Sequence, residues 1–250
     1  MPEPAADTTT MTLDEARDRM LDAAALHVPF DGWSTATLRA AQRDAGVSSE
    51  LSAAAFPRGA VDLALAFHEA GDQAMLRRLR TENLGALRFR DKIATAVRYR
   101  LEAVEDRELV RRASALFALP QYAADGTRAV WQTADRIWTA LGDTSDDINW
   151  YTKRATLSGV YSSTVLYWLG DESEGQQATW DFLDRRIADV MEIEKIRGQI
   201  EGNPVLRRVF AGPIWLAGQV RAPSRGGAQD LPGRLAHPPA APTAPASSES

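Results

Sequence analysis

His27, His68 and His237 are the only histidines in the chain, and cysteine is absent. Without cysteine there can be no disulfide, thiolate zinc site or cysteine nucleophile, and a reducing compartment fits that absence. The histidines are scattered, with no second plausible ligand at helical spacing, and none belongs to a Glu-x-x-His pair of the kind a di-iron bundle uses. Acid pairs occur at Asp146/Asp147 and Glu192/Glu194. Residues adjacent or two apart point to different faces of a helix, so these pairs cannot converge on one substrate. No glycine-rich phosphate loop, metal triad or nucleophile elbow is present. We therefore expect no catalytic residue, no metal site and no cofactor. A partner would have to supply any chemistry.

Apolar and aromatic surface is far more abundant. The 250 residues are 44% hydrophobic and include seven tryptophans, ample for a packed core. Net charge is −5, so no overall positive field draws the chain onto nucleic acid. The apolar positions recur at spacings of three and four, the signature of amphipathic helices. No alternating β-branched run argues for a strand. Stripes run through Ile93, Val97, Leu101 and Val104, and through Trp131, Ala134, Trp138 and Leu141. Two more follow Leu157, Val160, Tyr161, Thr164 and Trp168, and Trp180, Leu183, Ile187 and Val190. Periodicity alone favours an ordinary core over a cavity for such bulky stripes.

Local signals set the boundaries. Residues 1–11 are polar and rich in Pro, Ala and Thr, and 222–250 turn to Pro, Ala, Gly and Ser, so both ends read as disordered. Thr12 with Glu15 three residues later forms a capping box opening a first helix, whose stripe is Leu13, Ala16, Met20 and Ala24. Ser34 or Thr35 opens a second helix that stops near Gly46. Ser48 or Ser49 caps a short third one, ended by Phe56-Pro57 because proline disfavours helix in the residue before it. A fourth helix follows Pro57 and Arg58 and runs through Leu79. This gives a head at 12–57, a helical body at 58–201 and an amphipathic segment at 203–221.

The turn Ala45-Gly46-Val47-Ser48 and the Phe56-Pro57 step resemble the helix-turn-helix of TetR-type repressors. That likeness implies an all-α, TetR-repressor-like fold: a three-helix helix-turn-helix head, a larger helical ligand-binding body and a C-terminal amphipathic helix. The would-be recognition helix, Ser48 to Ala55, departs from a DNA reader. It carries Glu50 and no Arg or Lys, and alanines 53–55 occupy the face that should touch bases, where readout needs cationic or amide side chains. Arg39, Arg43 and Arg58 flank it as ordinary surface charges. We expect no sequence-specific DNA binding. The alternative is a TetR-type transcriptional regulator binding DNA and a small apolar effector.

A second resemblance lies in the body. The blocks DDINWYTKRA, TVLYWLGD and TWDFLDRRIADVM, in that order and spacing, are similar to the lipid-binding accessory protein family of ubiquinone (coenzyme Q) biosynthesis, with the likeness extending over roughly Met11 to Arg221. It implies a non-catalytic protein that binds an isoprenoid quinone lipid and presents prenylated intermediates to a demethoxyubiquinone hydroxylase, and a homodimer. Its partner patch maps onto Asp147, Trp150 and Tyr151. Read from spacing alone, Asp146 and Asp147 are first-turn acids favoured by the helix dipole. Trp150 shares a stripe with Leu157 and suits core and interface equally. Tyr151 aligns with Arg154 and Ser158 on a polar face, as an aromatic surface anchor. Trp131, Trp138, Tyr161 and Val165 are the candidate lipid-binding residues, because an isoprenoid tail needs apolar walls.

Asn203-Pro204 is a helix opening. Val205, Leu206, Val209, Phe210 and Trp215, with Arg207 and Arg208 beside them, form a basic amphipathic face too short to span a bilayer but suited to its surface. Pro213 divides it into two pieces, and docking on the body is the other use for such a face. No run reaches the roughly 18 apolar residues of a membrane span, and the N-terminus lacks an apolar signal core. We expect a cytoplasmic protein peripherally associated with the inner membrane, on the matrix side if mitochondrial.

Overall fold

The computed structural model describes residues 11–202, with side chains to residue 190. Nine α-helices make up most of that span, with no strand among the described residues. The first three form the head: α1 (Leu13–Asp31), α2 (Thr35–Asp44) and α3 (Ser49–Ala55). Each begins where its sequence signal stands. Thr12 accepts from the Glu15 N–H at 3.2 Å while the Glu15 carboxylate takes the Thr12 N–H at 2.8 Å, completing the capping box. Ser34 caps α2 and Ser48 caps α3, each through its side-chain oxygen. Ala16, Met20 and Ala24 are buried as the stripe predicts, whereas Leu13, in the first turn, is exposed.

The body comprises α4 (Ala60–Thr81), α5 (Phe89–Glu102), α6 (Arg107–Phe117), α7 (Ala123–Ala140), α8 (Ile148–Leu169) and α9 (Gln177–Gly202). Helix α7 packs on α4 and α8, and α9 lies against α5 and α8. A body core gathers Ile93, Val97, Leu101, Ala134, Leu157, Trp168 and Leu183, the predicted stripes meeting one another. A head core joins Met20, Val28, Phe56 and Leu63 to Leu109 and Ala113 of α6. Helix α4 serves both, giving Leu63 and Ala64 to the head and Met75 to the body. At 1.5 Å per residue its 22 residues span about 33 Å, enough to reach both cores.

Polar contacts tie the two parts. The Trp33 indole N–H donates to the Leu109 carbonyl at 3.0 Å, and Arg58 bridges Asp62 and Asp125. Arg107 and Arg111 of α6 hydrogen-bond the carbonyls of Trp168, Leu169 and Asp171, finishing the C-terminus of α8 with positive charge. Among the described residues no helix is long and apolar enough to cross a membrane. The expected segment 203–221, with Val205, Leu206, Val209, Phe210 and Trp215, lies outside the described residues.

Candidate functional site: an apolar cavity beside an aromatic surface pair

Helices α4 to α8 do not close on one another completely. Between them lies a cavity of about 540 Å³, walled by such side chains as Leu101, Val104, Val110, Phe117 and Val130. Three of the four residues chosen for the pocket line it: Trp131, Tyr161 and Val165. Trp138 does not. It borders a separate hollow of about 30 Å³ with Ile93 and Lys153, its indole N–H held by the Lys153 carbonyl at 3.1 Å. Although Trp131 and Trp138 share a stripe, seven residues separate them by about 10 Å along α7, and their neighbours differ. Exposed Ala118, Ala123 and Leu166 also line the larger cavity and mark its mouth.

One wall is polar. Arg100 is 3% exposed, its Nε donating to Asp72 at 2.6 Å and an Nη to the His68 carbonyl at 3.0 Å. Arg136 and the Thr133 hydroxyl also bind Asp72, and Arg136 pairs with Glu69. His68 Nε2 lies 2.8 Å from the Thr133 oxygen. Burial, then the Arg100 charge, push its pKa down to about 4, so the imidazole is neutral near pH 7. Burial also pushes the Tyr161 phenol up. The expectation that no histidine has a ligand-type neighbour at helical spacing fails here, since Asp72 follows His68 by four residues. The pair is not a metal site, because two arginines and Thr133 occupy the carboxylate. Among the described residues no group of three His, Asp or Glu is arranged to hold a metal ion.

His68 and Ala129 form the partition to a second, more polar groove of about 810 Å³ between head and body. Its Arg58, Asp62, Asp125 and Arg128 already pair with one another, leaving little that calls for a ligand.

The surface residues fall together. Asp147 is the N-cap of α8, its carboxylate accepting from the Asn149 N–H at 2.9 Å and side-chain amide at 3.0 Å. Trp150 and Tyr151 are half-buried and meet edge-to-face at 4.8 Å. Trp131 reaches both, at 6.0 and 6.4 Å, and so touches the cavity on one side and the surface pair on the other. The face carrying Tyr151, Arg154 and Ser158 is not the solvated one that its composition predicts. Arg154 is 1% exposed, paired to Asp135 at 2.5 Å and Asp143 at 3.0 Å, with its guanidinium 3.9 Å over the Trp150 ring. Two carboxylates neutralise it and the ring covers it, so burial becomes tolerable. Spacing along α8 alone could not reveal this, because Asp135 and Asp143 stand outside that helix.

On the head, α3 presents Glu50, Ala53 and Ala54 outward, while Ala55 is buried in the head core rather than on the outer face. Arg58 is spent on Asp62 and Asp125.

The sequence profile of the COQ9 family matches residues 123–194, the span of α7, α8 and the first part of α9. The fruit fly (Drosophila melanogaster) "ubiquinone biosynthesis protein COQ9, mitochondrial" is 31% identical over 204 residues, covering 80% of this chain and 62% of that protein. The Xenopus laevis COQ9-A protein is 30% identical over 217 residues, covering 81% of this chain and 67% of its own length. The chain belongs to the COQ9 family. It spans rather less than two thirds of the fly relative's length. A crystal structure of a TetR transcriptional regulator from Nitrosomonas europaea superposes with a TM-score of 0.57, covering 69% of this chain and 95% of that one, at 21% identity. The fold of this COQ9-family chain is thus TetR-like. Its cavity lies among helices α4 to α8, and the family match falls on two of the helices that wall it, α7 and α8.

Proposed function

We propose that this chain is a non-catalytic accessory protein of ubiquinone biosynthesis that binds a prenylated quinone intermediate and presents it to a demethoxyubiquinone hydroxylase. The observation that carries the reading is the cavity of about 540 Å³ among helices α4 to α8 in a COQ9-family chain. That volume lies in the range of small-molecule sites, and the apolar walls suit a hydrocarbon chain. Trp131, Tyr161 and Val165 contact the lipid in this proposal, and Trp138 supports the body core instead. Asp147, Trp150 and Tyr151 form the surface the hydroxylase binds, with Trp131 as the side chain common to both regions. Val205, Leu206, Val209, Phe210 and Trp215 provide peripheral contact with the inner membrane. The chain works as a homodimer, a reading supported by Tyr167, 40% exposed on α8 and stacked on Phe182 of α9 at 4.6 Å.

The test is organic extraction of the purified full chain followed by mass spectrometry. Prenylated quinones or their phenolic precursors should be recovered in near-stoichiometric amount. A chain that emerges lipid-free and takes up no added short-chain ubiquinone would defeat the proposal.

A further inference from the structure

The polar wall of the cavity holds more hydrogen-bond donors than the protein uses. Ser158 Oγ is buried and has no hydrogen-bond partner among the described residues. One turn along α8, Tyr161 is 4% exposed, and its hydroxyl makes no hydrogen bond to any described residue. Arg100 commits Nε to Asp72 and one Nη to the His68 carbonyl, while its other Nη has no acceptor among the described residues. All three side chains line the same cavity, and the Tyr161 phenol lies within electrostatic reach of Arg100 and Asp72. Buried polar groups are ordinarily satisfied, and three unspent donors around one hollow therefore mark where a ligand's acceptors belong.

The charge of this wall narrows the ligand. Arg100 and Arg136 are balanced by Asp72 and Glu69, and His68 is neutral near pH 7. An anionic head such as a carboxylate or phosphate would arrive as an uncompensated charge in an apolar hollow, which is strongly unfavourable. A neutral acceptor carries no such cost. We infer that Ser158, Tyr161 and Arg100 form a head-group subsite for a neutral ring bearing carbonyl or ether oxygens, with the hydrocarbon tail directed to the mouth at Leu166. The inference rests on the reading of the cavity as a lipid site and adds the orientation of the lipid and the residues that select it.

The experiment measures binding of four probes to the purified full chain: ubiquinone with two isoprene units, a prenylated benzene without ring oxygens, palmitate, and farnesene, a hydrocarbon with no head. Wild type should prefer the quinone. Tyr161→Phe and Ser158→Ala each remove a hydroxyl and little else, and each should weaken quinone binding about tenfold, the scale of one buried hydrogen bond. Farnesene binding should change less than twofold and so doubles as the control for folding. In wild type, a prenylated benzene without ring oxygens should bind about tenfold more weakly than the quinone, which tests the subsite with no mutation at all. Quinone affinity that is indifferent to both hydroxyls and to the ring oxygens would overturn the subsite while leaving lipid binding intact. Palmitate binding more tightly than the quinone would overturn the neutral-acceptor assignment. Failure of wild type to bind any probe would sink the lipid reading together with the subsite.

Discussion

At the scale of single residues, the buried charges set how the molecule responds to acid. Unfolded, the His68 imidazole titrates near pH 6.5; folded, burial and then Arg100 hold it at about 4. Between those values the unfolded chain binds more protons than the folded one, so stability falls as pH falls through this window. Fully expressed, near pH 4 and below, the difference is roughly 3 kcal/mol. Asp143 acts in a separate, lower window. Burial works to raise its pKa, but Lys153, Arg154 and Ser145 overcome that and hold it at about 2 against an ordinary 3.8. Its contribution is present above pH 3.8 and is lost as pH falls towards 2. His68→Gln leaves a polar side chain facing Thr133 and no group that titrates. Urea unfolding at pH 7, 6, 5 and 4.5 should show a clearly shallower loss of stability in the variant than in wild type. Equal slopes would mean that His68 is not held neutral by its surroundings.

At the scale of elements, the cavity depends on how closely α6 and α7 approach. A Cβ placed on Gly126 would lie 2.7 Å from Phe117 Cβ and 3.1 Å from its Cγ, and both residues line the cavity. The obstacle sits at the root of the phenylalanine, where rotation gives no relief, so Gly126→Ala must push the helices apart. The cost of such overpacking is about 1–3 kcal/mol, despite alanine's better helix propensity. Thermal melts should show the loss, and quinone uptake should fall with it. A variant as stable as wild type would show that α6 shifts freely. The elements themselves were legible in the sequence, because caps at Thr12, Ser34 and Ser48 and the Phe56-Pro57 stop are local signals. The stripes through Ile93, Leu157 and Leu183 located the body core for the same reason. The site was legible only in part. Trp131 and Tyr161 follow from stripes, and Val165 stands one turn beyond Tyr161, but Arg154 reads as part of a polar face because Asp135 and Asp143 lie 19 and 11 residues away, and nothing in its own helix singles out Arg100, whose partner Asp72 lies 28 residues away. Burial of a charge depends on helix pairing, and periodicity within one helix carries no record of the neighbour.

At the scale of the whole molecule, the question is whether head and body form one cooperative unit. Helix α4 buries Leu63 in the head core and Met75 in the body core, and α6 packs Leu109 and Ala113 against the head while its arginines hold the end of α8. The two cores are therefore joined by continuous helix and by direct hydrogen bonds from Trp33 to Leu109 and from Arg112 to Pro29. Damage to one core should be felt in the other. Leu63→Ala removes a fully buried side chain from the head and should cost about 2–5 kcal/mol. Native-state hydrogen exchange can read the two regions separately, following amides of α1 and α2 for the head and of α5 and α8 for the body. Because unfolding one core frays the shared α4, the most protected amides in both regions should lose protection by the same free energy in the variant. Loss confined to α1 to α3, with α5 and α8 exchanging as in wild type, would instead show a head that opens independently of the cavity. In that event strain at the lipid site would have no mechanical route to the head.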